Sequence, residues 1–547
     1  MSQTAEQLSS RTETADHPLR FVTAASLFDG HDAAINIMRR LIQGEGCEVV
    51  HLGHNRSVRD IVDAAIQEDA DGIAVSSYQG GHNEFFRYMV QMLAERGAGH
   101  IRVFGGGGGT ITPDEIRALH EAGVERIYHP DDGMQMGLKE MIQDLVERTA
   151  RARALREDRD PGTGTRDSKA EPDFGVIARI LSAIENGSLS EHELARLQKL
   201  HGPSSPESRV PSPSLVVGLT GTGGAGKSSV TDELVNRFLQ YFPDMKIAIL
   251  AVDPTRRRTG GALLGDRIRM NTLRSQRVFM RSMATRREHL ATSGVLQQFI
   301  GFLRSSGFGL VLVETAGIGQ ADTEIVDLVD FPVYVMTSDY GAASQLEKID
   351  MLDYAEMVIL NKYEKRGAED ALRDVRKQWK RNRLKFELDD EQVPVFPTIA
   401  SQFNDPGVTW MFVNLCRLLR EKLELETDVW TPEIATDVKE PRSTALIPGN
   451  RQRYLAEIAE QGRAANQRVE TQAEIASSAQ SLYNALAELG DSALPDELKR
   501  FDDAESTDGL PEGMRAAVVQ LRQAYNEKLD ALDSESLELL RGWPKKL

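Results

Sequence analysis

The stretch Leu215-Val-Val-Gly-Leu-Thr-Gly-Thr-Gly-Gly-Ala-Gly-Lys-Ser-Ser229 opens as a short apolar, β-branched run and continues as G-x-x-x-x-G-K-[ST] over Gly221 to Ser228. The first half reads as a buried strand, the second as a phosphate loop. Gly221, Gly223, Gly224 and Gly226, with the small Ala225 among them, let successive backbone N–H groups turn inward around phosphate oxygens. The loop then feeds a helix N-terminus, whose orphan N–H groups favour anions. Lys227 is placed to reach the β- and γ-phosphates and Ser228 to ligate Mg²⁺, while Ser229 joins the nucleotide contacts and begins a helix-like run to Leu239. Strand, loop and helix in that order imply a doubly wound α/β core and a nucleoside triphosphate ligand.

The 547 residues are too many for one core, and the length suggests about three domains. Hydrophobic content of 40% and charged content of 27% are ordinary for a globular protein, and the net charge of -18 argues against nucleic-acid or anionic-membrane partners. Cys47 and Cys416 fall in different expected domains, which fits a reducing cytoplasm rather than a disulfide framework. No run approaches the ~18 apolar residues of a membrane span.

Upstream, from Arg20 to about Thr149, apolar strand-like runs alternate with helical ones. The strand candidates are Phe21–Leu27, Cys47–His51, Gly72–Ser76, Ile101–Phe104 and Arg126–Tyr128. This predicts a five-strand, doubly wound parallel domain with its ligand at the carboxyl ends of the strands. Three loops fall on that edge: Phe28-Asp-Gly-His-Asp32, Ser76 to His82, and Gly105 to Gly109. Five consecutive glycines leave room for a bulky ligand to approach the backbone. Asp29 and His31, two apart, suit a carboxylate orienting an imidazole whose other nitrogen meets a metal.

Asp29-x-His31, then Ser76, then Gly105-Gly106 resembles the cobalamin-binding signature D-x-H-x-x-G … S-x-L … G-G, with Ala34 and Tyr78 at two departing positions. The resemblance implies a flavodoxin-like fold with His31 as the lower axial ligand to cobalt and Asp29 as its orienting carboxylate. It also implies a displaced nucleotide tail lying beside Ser76, Gly105 and Gly106.

Residues 150–213 read as a linker with two short helices, Phe174–Glu185 and Glu191–His201. Beyond the phosphate loop, strand runs end in Asp253 and Glu314, where such folds hold Mg²⁺ and its waters, or where a carboxylate merely caps a turn. Gly260 to Met270 reads as a glycine-hinged loop continuing into a helix. It lies in a basic stretch, Arg256, Arg257, Arg258, Arg267, Arg269, Arg274, Arg277 and Arg281, suited either to phosphate or partner contact or to a solvated face. Asn361-Lys362-Tyr-Glu364 resembles the guanine-reading N-K-x-D of GTPases with Glu364 in the acidic place, and Ser401 follows as a supporting base contact. Residues 427–547 carry two long helix-periodic runs, Arg453–Leu489 and Gly513–Arg541, expected to pack on their own domain or, preferably, to dock on a partner.

Gly221–Ser228, Val252–Pro254, Gly265–Met270, Val313–Gln320 and Gln345–Asp350 together look like the G-protein chaperones of cobalamin-dependent acyl-CoA mutases. In that resemblance Ser228, Asp253, Asp266 and Glu314 surround Mg²⁺, Lys227, Asp266 and Glu314 carry the hydrolytic role, and Gln345–Asp350 is a nucleotide-sensing switch. The order of parts resembles the fused isobutyryl-CoA mutase family. The expected organisation is a disordered N-terminus (1–19), a cobalamin domain (20–149), a linker (150–213), a P-loop GTPase domain (214–426) and a helical tail (427–547). The resemblance implies adenosylcobalamin, GTP and Mg²⁺ as cofactors. It also implies an oligomer, with a barrel-bearing mutase subunit and an adenosyltransferase as partners; the chain ends where the substrate barrel would begin, so either the enzyme is split into two chains or this is a shortened form. A non-catalytic cobalamin carrier or sensor with a regulatory GTPase domain is the alternative.

Overall fold

Five apolar runs in the first 130 residues pair side by side in parallel: β1 (Arg20–Ala25), β2 (Glu48–His51), β3 (Gly72–Ser76), β4 (Arg102–Gly106) and β5 (Arg126–Tyr128). In this computed structural model the described residues are 17–30, 33–157, 173–200, 214–255, 259–285, 289–315, 324–341, 343–425, 430–434, 441 and 454–543. Helices Ala33–Gly44, Val58–Gln67, His82–Glu95, Pro113–Glu121 and Leu138–Glu157 connect or follow these strands. β1, β2 and β3 are buried along their whole length, as parallel strands covered on both faces must be.

The second parallel sheet is built from β6 (Leu215–Gly221), β7 (Ile247–Asp253), β9 (Val278–Ala284), β10 (Leu310–Glu314), β11 (Phe331–Thr337), β12 (Met357–Asn361) and β13 (Val395–Thr398), in the order β13-β12-β11-β6-β10-β7-β9. Between β7 and β9 lies β8 (Ala262–Leu264), and it does not belong to this sheet. It adds in parallel to the outer edge of β2, with Glu48 opposite Ala262 and Val50 opposite Leu264, so the first sheet runs β5-β4-β3-β1-β2-β8. The expected five strands are therefore six. The expected loop and helix over Gly260 to Met270 are a strand and a 3₁₀ turn, Asp266–Arg269. Three residues cannot build a sheet of their own, but an unpaired edge offers them a ready ladder.

The linker also differs from its reading. Helix Leu138–Glu157 runs into it, and Phe174–Glu185 is no surface connector. Its Ile177, Ile180, Leu181 and Ile184 pack with Phe279, Phe299 and Phe302 of the second half. Beside that seam sits a buried charge cluster. Arg20 Nη2 donates to Glu48 Oε2 at 2.6 Å and to Glu185 Oε2 at 3.1 Å, and Arg281 Nη2 donates to Glu185 Oε2 at 2.8 Å. Arg281 Nη1 bonds the Glu68 carbonyl. Arg281 and Arg267, read as ligand-facing or solvated, instead pair inside the protein.

Met1–Ser443 forms one compact unit and Thr444–Leu547 a second. The second consists of helices Tyr454–Glu488, Arg515–Ala531 and Ser534–Gly542 around Leu486, Phe501, Tyr525 and Leu529. A fully buried pair holds it, Arg522 Nε donating to Asp491 Oδ2 at 2.6 Å. Its buried apolar residues pack on one another, while Ile458, Val469, Leu539 and Trp543 stay exposed.

Candidate functional site

Both sheets reverse their winding at one strand, and each reversal opens a crevice at the carboxyl edge. In the second sheet the reversal is at β6, which lies between β11 and β10 and runs straight into the phosphate loop. Gly221 has φ 147°, and a Cβ there would fall 1.9 Å from the Val335 carbonyl oxygen on β11. Gly223 and Gly224 face open space, the side from which phosphates would approach. Lys227 begins helix Lys227–Tyr241, is buried, and folds its ammonium onto Gly221 O at 2.9 Å and Thr222 O at 3.3 Å.

Ser228 sits one residue on. Its Oγ donates to Glu314 Oε1 at 2.8 Å and lies 3.2 Å from Asp266 Oδ1, while Thr231 Oγ1 donates to Glu314 Oε2 at 3.2 Å. Asp253, at the end of β7, takes the Gly265 N–H and is pushed up to about 8 by burial and by the charges of Asp266 and Glu314. Burial and Asp266 likewise push Glu314 up to about 7. Carboxyls that resist ionisation beside one another are a site a divalent cation would relieve, and Asp253 Oδ2 is buried with no hydrogen-bond partner. Among the described residues no three His, Cys, Asp or Glu side chains converge as a closed cage. That arrangement fits Mg²⁺, which keeps several waters and takes one or two protein ligands, better than a fully protein-ligated ion.

At the base end, Asn361 closes β12 and bridges two loops. Its Nδ2 donates to Ala225 O at 2.8 Å, and its Oδ1 accepts from Thr398 Oγ1 at 3.1 Å and from Ala400 N at 3.0 Å. Lys362, at φ 59°, donates to Gly224 O at 2.8 Å. Glu364 and Ser401 are exposed. Ser229, Ala400, Ser401 and Phe403 border a recess of about 470 Å³ along the helix. Asp405, unnoticed in the sequence, fixes this loop by accepting Ile399 N at 3.0 Å and Val408 N at 2.9 Å. Its signal was available: Asp-Pro at the start of an apolar helical run is a capping pattern. Replacing Asn361 with alanine would leave these buried partners unpaired, at about 1–3 kcal/mol of stability, and should loosen the two loops at the base end, so that nucleotide binding weakens with the denaturation midpoint. Titration with a fluorescent guanine nucleotide measures the binding.

In the first sheet the reversal lies between β1 and β3. The loops after them meet there: Asp29, 2% exposed, accepts the Tyr78 N–H at 2.7 Å. His31 lies outside the described residues. Beside the loops is an apolar crevice of about 320 Å³, lined by Met38, Ser76, Tyr78, Phe104, Gly105 and Met141 among others. The Ser76 hydroxyl is buried in it with no hydrogen-bond partner. A Cβ on Gly105 would strike Phe86 at 2.4 Å and Ile127 at 2.7 Å, and one on Gly108 would strike the Tyr78 ring at 2.0 Å. At Gly106 a Cβ would make only an ordinary contact, 3.5 Å from Tyr128 O, so that glycine is not sterically required. An apolar slot with one orphaned hydroxyl fits a flat aromatic base bearing a polar edge, which is the shape of a cobalamin tail. The apolar wall came from the i, i+3, i+7 face of helix Ala33–Gly44 (Ile35, Met38, Ile42), which the sequence marked only as helical.

The Val313–Gln320 motif is described only through Thr315, and Arg256 to Arg258 lie outside the described residues. Gln345–Asp350 spans the end of the short helix Ala343–Leu346 and the turn beyond it, with Leu346 buried.

Residues 19–138 match the B12 binding domain family, and residues 177–485, more than half of the chain, match the family described as methylmalonyl Co-A mutase-associated GTPase MeaB. A fused isobutyryl-CoA mutase of Geobacillus kaustophilus is 50% identical over 84% of this chain and 42% of its own length. A fused isobutyryl-CoA mutase of Cupriavidus metallidurans is 46% identical over 93% of this chain and 46% of its own. The chain thus spans less than half the length of these curated relatives. The crystal structure of a LAO/AO transport system kinase, 16% identical, aligns over 62% of this chain and 93% of its own at a TM-score of 0.34. Among the described residues no helix is long and apolar enough to cross a membrane.

Proposed function

Since the chain belongs to the methylmalonyl-CoA mutase-associated GTPase family and carries a B12-binding domain ahead of it, we propose that it is the adenosylcobalamin-binding, GTP-hydrolysing part of an acyl-CoA carbon-skeleton mutase of isobutyryl-CoA type. The observation that carries this reading is the pairing, in one compact unit, of an apolar crevice with an orphaned Ser76 hydroxyl and a phosphate loop whose Ser228 meets Glu314 and Asp266.

In the first crevice Asp29, His31, Ser76, Gly105 and Gly106 would hold the cobalamin, His31 as a ligand to its cobalt, Asp29 as that histidine's orienting carboxylate, and Ser76 with the two glycines beside its nucleotide tail. Bound there, adenosylcobalamin would supply radical chemistry, which belongs to the cofactor rather than to these residues. In the second crevice the phosphate-loop N–H groups and Lys227 neutralise the β- and γ-phosphates, and Ser228, Asp253, Asp266 and Glu314 would hold Mg²⁺ directly or through its waters. Asn361 and Lys362 shape the base end, with Glu364 and Ser401 completing guanine selection. Hydrolysis gates loading or release of the cobalamin, with Gln345–Asp350 sensing the nucleotide. A barrel-bearing mutase subunit and an adenosyltransferase are the proposed partners, in an oligomer.

The test mixes the chain with a barrel subunit, adenosylcobalamin and GTP and follows acyl-CoA isomerisation. His31→Ala should abolish both activity and the base-off spectral shift of bound cobalamin. GTP hydrolysis and cobalamin binding without isomerisation in any mixture would assign a carrier or sensor instead. A base-off shift that survives in His31→Ala would remove the axial assignment.

A further inference from the structure

Asp266 is the one proposed Mg²⁺ neighbour carried neither by a strand of the second sheet nor by the helix that follows its phosphate loop. It sits on the strap from Gly261 to Arg269, which is fastened to the first half by β8, Arg267 and Ile268, and to the second sheet by the Gly265 N–H on Asp253 and by Arg267 on Met280. On its N-terminal side β8 completes the β2 ladder, and Gly261 passes so close that a Cβ would fall 2.2 Å from Gln43 O. On its C-terminal side Arg267 Nε donates to Glu68 Oε1 at 2.8 Å, and Arg267 Nη2 donates to Gln67 Oε1 at 2.5 Å and to Met280 O at 2.8 Å. Arg56, from the loop after β2, donates to Ile268 O at 3.2 Å. Between these anchors Asp266 turns the other way and meets Ser228 Oγ.

We propose that Glu68 and Gln67, residues of the cobalamin-binding half, are positioning residues for the GTPase metal site: through Arg267 they fix where Asp266 stands. The inference rests on the reading of Ser228, Asp266 and Glu314 as that site. The physical argument is one of rigidity. Arg267 is 5% exposed and Glu68 fully buried, so neither charge can swing into water without losing its partner in a low-dielectric interior. The carboxylate is itself held by Ser282, whose Oγ donates to Glu68 Oε1 at 2.9 Å. Adjacent backbone must follow a side chain so fixed, and Asp266 is the adjacent residue. A residue behind a ligand commonly governs metal affinity through the ligand's orientation rather than by contact.

Glu48 provides the control. It is equally buried and belongs to the same charge cluster, and it shares Arg20 with Glu68, whose Oε2 lies 3.7 Å from Arg20 Nη1, but among the described residues it makes no bond to Arg267. In the full-length chain, GTP hydrolysis is measured as a function of Mg²⁺ concentration, with the spectrum of bound cobalamin and the thermal midpoint alongside. Glu68→Gln should raise the Mg²⁺ concentration for half-maximal rate by about 10-fold, with the cobalamin spectrum unchanged, whereas Glu48→Gln should leave that midpoint at the wild-type value. If Glu68→Gln does not fold, Gln67→Met withdraws an acceptor from Arg267 without unpairing its charge, and a smaller shift in the same direction is expected. An equal shift in Glu48→Gln, or none in the folded Glu68 or Gln67 variant, overturns the inference and leaves the functional reading standing. A wild-type chain without Mg²⁺-dependent GTP hydrolysis overturns both.

Discussion

Replacing Lys227 with methionine is expected to slow GTP hydrolysis by about 10²–10³-fold, the usual loss when one preorganised charged donor is taken from a developing anion. Methionine keeps the length and most of the apolar stem, so the packing of helix Lys227–Tyr241 should survive and the loss is electrostatic. The site magnifies that loss. Lys227 is 8% exposed, at the bottom of a loop, with its ammonium held on Gly221 O and Thr222 O. A phosphate arriving there would be neutralised by a group already desolvated and oriented, and bulk cations cannot replace it. Single-turnover phosphate release measures the effect, and an unchanged thermal midpoint excludes misfolding. A rate within tenfold of wild type would remove Lys227 from the mechanism.

Gly221→Ala should be the most damaging single methyl in the nucleotide domain. The backbone there has φ 147°, and the added carbon would sit 1.9 Å from the Val335 carbonyl oxygen, which is main chain and cannot swing aside. Overpacking costs ~1–3 kcal/mol and an unfavourable backbone conformation about as much again, so about 2–6 kcal/mol is expected in all. Gly221 lies opposite Val335 in the β6–β11 ladder, at the point where the phosphate loop leaves the sheet. Strand pairing and nucleotide binding should therefore fail together, seen as a lower denaturation midpoint and loss of guanine-nucleotide affinity. Gly223→Ala is the matched control. A Cβ at Gly223 meets nothing within 4 Å, so that variant should keep its stability. Wild-type stability in Gly221→Ala would contradict the geometry.

Much of the site was readable from local chemistry. The phosphate loop, Asn361 and the acidic strand ends are each one strand, one turn and one residue type, and short-range rules suffice for them. The pocket glycines were readable as a run, yet which of them matter was not. Gly105 and Gly108 are required by Phe86 and Tyr78, distant in the chain or carried on another loop, while Gly106 has room to spare. Arg267 and Arg281 misled for a related reason. A run of arginines has no local feature that distinguishes a phosphate ligand from a buried partner of Glu68 or Glu185. The tail's helices were readable too, but helical periodicity shows an apolar face without saying what covers it.

By itself the sequence determined two parallel α/β sheets, the five strands of the first, the phosphate-loop strand and those ending in Asp253 and Glu314 in the second, and the edge on which each ligand crevice opens. Those follow from hydrophobic period, glycine placement and the rule that parallel strands connect through helices. Only the tertiary structure decided that β8, from the second half of the chain, completes the first sheet, that helix Phe174–Glu185 is core rather than linker, and that Arg267, next to Asp266, pairs with Glu68. The physical reason is range. Periodicity and turn chemistry act over a few residues, whereas an edge strand's partner or a buried arginine's carboxylate can lie some 200 positions away, as Glu68 does from Arg267, and is fixed only when the chain has closed around it.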